Sequence, residues 1–103
     1  GPESFTPDLA PIVGEAPEIR NYYIAAGLNS IGIITGPGIG RALAHQIVHG
    51  AADVDNTAMI PHRLQAYQST PTYRGARVVE SLGKVYKCHY PNRPTLTCRS
   101  IRT

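Results

Sequence analysis

At 103 residues, with 42% apolar side chains but one Phe, one Met and no Trp, the chain has room for at most one domain around a thin core. Ten Gly and nine Pro favour turns over long regular elements, and six Tyr supply most of the aromatic area. The net charge of +3 divides unevenly, with Arg20 and Arg41 against six acids in residues 1–60 and eight Lys/Arg against Glu80 in residues 61–103. The basic half carries no base-reading motif and its charges are spaced out, so a solvated surface is expected rather than nucleic acid.

Cys88 and Cys98 are too few, without a secretory signal, for a disulfide framework. No apolar run approaches the roughly 20 residues of a membrane span. The start, residues 1–8, is polar, contains Pro2 and Pro7 and lacks Met, and reads as the interior of a longer protein rather than a targeting peptide.

In chain order, residues 1–11 hold three prolines and read as an extended, turn-rich lead. Ile12 and Val13 suggest a brief strand before Gly14, and residues 16–21 a loop. Residues 21–28 are the best strand candidate: Tyr22, Tyr23 and Ile24 favour extended backbone, and Ala25, Ala26 and Gly27 leave room for a close approach. Residues 29–40 contain Gly32, Gly36, Gly38 and Gly40 and read as a glycine-rich turn. A helix is expected over residues 41–49, because Ile39, Leu43 and Ile47, joined by Ala42 and Val48, recur at helical spacing. Arg41, His45 and His49 form its polar stripe, Pro37 suits a first turn, and Gly50 a C-terminal stop. Beyond residue 50 the pattern weakens. Residues 61–66 suit a helical turn or a strand edge. Residues 72–82 suit a short helix made polar by Arg74 and Arg77, residues 85–90 a strand, and residues 92–103 a linker.

A helix start offers unpaired N–H groups and the positive end of the helix dipole, about half a charge. Glycines before it let a ligand reach the main chain, so the place suits a phosphate or a group that becomes negative in reaction. A flavin that gains charge at its N1–C2=O edge is such a group. The spacing alone decides nothing. Gly36, Gly38 and Gly40 give G-x-G-x-G followed by Arg41, not the dinucleotide fingerprint, and no Gly-Lys-Ser/Thr follows. A tight corner whose glycines only permit packing remains open.

Further residues narrow the choice. Pro2-Glu3-Ser4-Phe5-Thr6-Pro7-Asp8, Pro11-Ile12-Val13-Gly14-Glu15-Ala16-Pro17 and the run from Tyr23 through Gly40 to His49-Gly50 resemble the late FAD-domain segment of sarcosine and dimethylglycine dehydrogenases. That group belongs to the D-amino-acid-oxidase-like flavoproteins and includes a non-catalytic pyruvate dehydrogenase phosphatase regulatory subunit. The likeness is close over residues 2–50 and looser to about residue 90. Arg99-x-x-Arg102 resembles the approach to a folate-binding half.

The resemblance implies an α/β (or α+β) piece of an FAD-binding domain: residues 1–50 its later part, 51–91 its remainder, and 92–103 a linker to an aminomethyltransferase-like domain. It implies that residues 27–35 pass beside the isoalloxazine ring, with Gly32, Ile33, Ile34 and Thr35 donating toward its pyrimidine edge and Gly36 and Gly38 in the same glycine-led start. The implied cofactor is FAD, with tetrahydrofolate in a further domain. The implied partners are a small amine and an electron-transfer protein, and the implied location is the mitochondrial matrix, or the cytoplasm in a bacterium. No catalytic residue carries over: the histidine and lysine that some sarcosine-oxidising relatives have near this turn match Ile31 and Ile34 here. Pro37 stands where relatives commonly have glycine.

Other candidates are weaker. His45 and His49 share a helix face, but Gln46 replaces the glutamate of the zinc-protease motif, and no metal site is expected. Cys88 and His89 would point to opposite faces of a strand. Asp53 and Asp55 suit a loop after the helix, and Asp8 a turn that bonds its own backbone. The expected activity is that of a flavin-dependent amine dehydrogenase fragment inactive alone and poorly ordered in isolation. A regulatory subunit on the same fold and a small basic binding module are the alternatives.

Overall fold

The structure, a computed structural model, describes residues 2–88. Strand β1 (Ile12–Glu15) pairs antiparallel with β2 (Tyr23–Ala26), in a register that sets Val13 opposite Ala25 and Gly14 opposite Ile24. The ladder runs on where Ala16 N–H donates to Tyr22 O at 2.8 Å, and Asn21 N–H donates to the Glu15 carboxylate at 2.6 Å. Val13, 1% exposed, is the centre of the core. Gly14 has φ +136°, and a Cβ there would stand 3.2 Å from Pro61 Cδ, so the strand lies directly against the segment after the first helix.

Helix α1 (Gly32–His49) is twice the expected length. Its end is as expected: Gly50 takes φ 81° and donates its N–H to Gln46 O at 2.8 Å. Its start is not. Residues 32–40 are helix rather than turn, and Pro37 is an interior residue, not a first-turn one. A Pro at the sixth helical position removes the N–H that would reach the carbonyl of Ile33, four residues back. Local preference, roughly 1 kcal/mol against each Gly and about 3 against Pro, argued for a turn. The helix begins at Gly32 because the chain reverses sharply just before it, as described below.

Three short 3-10 turns follow, Thr57–Met59, Pro61–Arg63 and Ala66–Ser69, the second within the span expected as a helical turn or strand edge. Helix α2 (Pro71–Lys84) opens on a Pro at its first turn. Arg77 does not serve its polar face. It is 4% exposed, donates from Nε to Pro7 O at 2.6 Å and pairs with Glu80, which also holds Lys84. A guanidinium can enter the core when carbonyl and carboxylate partners wait there, and no sequence period reports that.

Residues 85 and 86 form a bend and 87–88 no regular element, rather than the expected strand. The remainder of that strand, the linker over 92–103, Cys98 and the Arg99-x-x-Arg102 pair lie outside the described residues. Among the described residues the architecture is a small α/β unit of two antiparallel strands and two α-helices. Among the described residues, no helix is long and apolar enough to cross a membrane.

Candidate functional site

The site is built from the link between β2 and α1. Ile31 N–H donates to Leu28 O at 3.1 Å, and the two residues between them, Asn29 and Ser30, have φ 51° and 70°. A four-residue turn with both central residues at positive φ is of type I′, which reverses a strand tightly; Asn tolerates it, Ser less so. Asn29 is 3% exposed. Its Oδ1 accepts from Thr6 N–H at 2.9 Å and Thr6 Oγ1 at 3.3 Å, and its Nδ2 donates to Gly27 O at 2.7 Å. Its own N–H donates to Ser4 O at 3.2 Å. Tyr86 adds a hydroxyl that donates to Ser30 O at 3.3 Å.

Straight out of this turn α1 begins, with Ile31 before it and no side chain capping its N–H groups. By position, the N–H groups of Gly32, Ile33 and Ile34 have no carbonyl within the helix to bond. They open beside a cleft of about 380 Å³ lined by Pro2, Glu3, Ser4, Leu28, Asn29, Ser30, Gly32 and Ile33. Ile33 is 100% and Ile34 84% exposed, so the described residues leave both largely uncovered.

The six residues singled out from the sequence therefore separate. Gly32 and Ile33 line the cleft, and Ile34 completes the helix's first turn. Thr35 is already engaged: its N–H donates to Ile31 O at 3.0 Å and its hydroxyl to the same oxygen at 2.9 Å. Gly36 and Gly38 lie further up, inside the helix, where a Cβ would meet nothing within 4 Å beyond the helix's own backbone. The room expected beside Gly27 is taken by the protein itself, since a Cβ there would be 2.5 Å from Thr6 Cγ2. Ile31 and Ile34 put no titratable group at the opening, where Glu3 is the one ionisable side chain in the described lining.

The remaining candidates have structural duties. Arg41 forms a two-pronged pair with Asp53, at 3.0 and 2.5 Å, which returns the loop after α1 onto the helix. The Arg41 guanidinium, bonded to Asp53, holds that carboxyl below its ordinary range. His45 Nδ1 lies 3.1 Å from Ala51 O, so that nitrogen carries the hydrogen and donates, and its ring meets His49 at 4.3 Å between centroids. No group of three metal-ligating side chains occurs among the described residues. Asp55 accepts from Thr57 N–H and hydroxyl, and Cys88 is exposed.

Asp8 does accept from Ala10 N–H, as a turn residue should, but its main partner lies 55 positions away. Arg63 donates to both Asp8 oxygens and to the carbonyls of Met59, Ile60 and Ala10. Burial of Asp8 disfavours its charge, yet the Arg63 and Ala10 bonds outweigh that and hold its carboxyl below the ordinary value. A second hollow of about 240 Å³, which no sequence pattern announced, lies between Phe5, Pro7 and the Arg74, Arg77 and Val78 face of α2.

Comparison with known proteins bears on what the opening of α1 serves. Residues 1–46 match the sequence profile described as FAD dependent oxidoreductase, and residues 49–103 that described as FAD dependent oxidoreductase central domain. The two profiles meet in the last turn of α1. Over 98% of its length the chain is 44% identical to 4-methylaminobutanoate oxidase (formaldehyde-forming) of Paenarthrobacter nicotinovorans. Over 99% it is 39% identical to human mitochondrial sarcosine dehydrogenase and 36% to the mouse mitochondrial pyruvate dehydrogenase phosphatase regulatory subunit. It spans only 11–12% of the length of these three relatives. The chain belongs to the FAD-dependent oxidoreductases.

Proposed function

We propose that this chain supplies the segment beside the flavin ring in a longer FAD-dependent amine dehydrogenase acting on a small N-methylated amino acid. One observation carries the reading: the uncapped start of α1 opens onto a cleft that the described side chains leave free. Those residues suit the pyrimidine edge of a flavin. Bare N–H groups and the positive helix end favour the negative charge that edge gains on reduction, and Gly32 keeps the main chain within reach.

The flavin, when bound, supplies the redox chemistry by taking a hydride from the amine's carbon. This chain's part is to orient it through Gly32, Ile33 and Ile34, with Thr35, Gly36 and Gly38 forming the helix that carries the dipole. The exposed Ile33 and Ile34 would shield that edge from water. Resemblance to sarcosine and dimethylglycine dehydrogenases extends the reading to an electron-accepting protein, a tetrahydrofolate-binding domain and, in a eukaryote, the mitochondrial matrix.

A second reading, a regulatory subunit that keeps the fold without turnover, is favoured by Ile31 and Ile34, which bring no acid or base to the opening. Anaerobic mixing of the full-length protein with sarcosine, dimethylglycine or 4-methylaminobutanoate separates the two. Loss of flavin absorbance with one of them supports the dehydrogenase. A bound flavin that none of them bleaches supports the regulator, and a protein purified with no affinity for FAD defeats both.

A further inference from the structure

We propose that Asn29 is the positioning residue that aims the opening of α1 at the cleft, an inference that rests on the flavin reading above. The chain must turn from β2 into α1 within the four residues Leu28 to Ile31, and it does so through two consecutive non-glycine residues at positive φ. Such conformations cost about 1–3 kcal/mol each and persist where surrounding bonds over-determine them. Here the surrounding bonds are those of Asn29. Its side-chain amide grips the Thr6 N–H and hydroxyl with one end and the Gly27 carbonyl with the other, while its main-chain N–H holds Ser4 O.

Three separate pieces of chain are thereby fixed relative to one another. The strand end at Gly27, the lead at Ser4 and Thr6, and the turn that launches α1 all meet at one buried amide. Ser4, Asn29 and Gly32 also line the cleft, so the wall opposite the helix start and the start itself share this fastening. Donors that must meet a ring edge within hydrogen-bond distance lose their effect if the helix swings by about 1 Å. Asn29 touches no reacting atom in this arrangement; it acts through the N–H groups of Gly32, Ile33 and Ile34.

The test uses the full-length protein with FAD and the variant Asn29→Gly, which keeps the positive φ and deletes the side-chain bonds. The expected result is about tenfold weaker FAD binding and about tenfold less preference for the reduced flavin. For a two-electron couple that preference is a fall of about 30 mV in midpoint potential. Thr6→Val, which loosens the same clasp from the other side, should move both in the same direction by less, and it supplies the reading if Asn29→Gly does not fold. Arg63→Lys, which weakens the fold away from the cleft, should lower the melting temperature and leave the potential in place. If Asn29→Gly and Thr6→Val melt early but keep wild-type FAD affinity and potential, Asn29 is only structural and the proposal is overturned. A wild-type protein that binds no FAD would overturn the flavin reading and this inference together, whereas loss of the positioning role alone leaves the first standing.

Discussion

The two halves of α1 are held in opposite ways. From Arg41 onward every turn has a fastening from its own chain: Ala42 is buried, Arg41 pairs with Asp53, His45 donates to Ala51 O, and Gly50 closes the end on Gln46 O. From Gly32 to Gly40 the helix has almost none. Ile33 and Ile34 stand in solvent, and Gly36, Gly38 and Gly40 have open space where a side chain would be. The poorest helix formers thus occupy the half with the least support. Such a half-helix gains little for stability, and on the flavin reading proposed above its glycines leave room for a ring beside the backbone.

The largest effect is expected at the platform beneath the back half. Arg63→Ala removes a guanidinium that joins Asp8 and Ala10 to the carbonyls of Met59 and Ile60, and should destabilise the full-length protein by about 3 kcal/mol. Denaturant unfolding followed by tyrosine fluorescence reads this directly. The same pair sets a pH dependence. Asp8 is depressed below its ordinary value of about 3.8, so its contribution is full above that pH and is lost as pH falls through the lower folded value. Acid titration of the Arg63→Ala variant should show that loss removed, and an unchanged acid limb would mean Asp8 is not the group responsible.

The same kind of substitution, made in β1 where it lies beside Gln46 of the back half and in the front half itself, brings out the contrast. Gly14→Ala, at φ +136° and against Pro61, should cost roughly 2 kcal/mol or more. Gly36→Ala, helical and unobstructed, should instead stabilise the chain by about 1 kcal/mol. In the full-length protein that stabilising change should weaken FAD binding, because the added methyl enters the space left beside the glycine. Retention of full FAD affinity would show that the front half faces something else. The smallest effect belongs to Arg41→Ala. Its pair with Asp53 is open to solvent, so the loss should be slight and should vanish at high salt, as melting at two ionic strengths would reveal.

Much of this was legible in the residues. The resemblance to FAD-dependent oxidoreductases rested on short motifs between Pro2 and Gly50, and the profile match over residues 1–46 covers most of that stretch. The strand over residues 21–28 held for Tyr23–Ala26, since consecutive Tyr, Tyr and Ile favour extended backbone wherever they are placed. Of the candidate site, Gly32 and Ile33 line the cleft, whereas Gly36 and Gly38 were placed in a turn that is helix. Propensity reported the cost of Gly and Pro correctly and could not report what overrides it. The hollow beside Arg74 and the clasp at Asn29 left no trace in spacing or period.

What depends on near neighbours can be read from the residues alone. They set where α1 stops, because Gly50 alone can adopt the left-handed cap without strain, and where extended chain runs, because branched and aromatic residues crowd a helix. Where α1 starts, which arginines are buried and which way the helix opens are set by long-range contacts. Those outcomes turn on contacts between residues 23, 55 and 70 positions apart, Thr6 with Asn29, Asp8 with Arg63 and Pro7 with Arg77. A hydrogen bond's partner across such a distance is chosen by the folded geometry of the whole chain, and no local pattern encodes it.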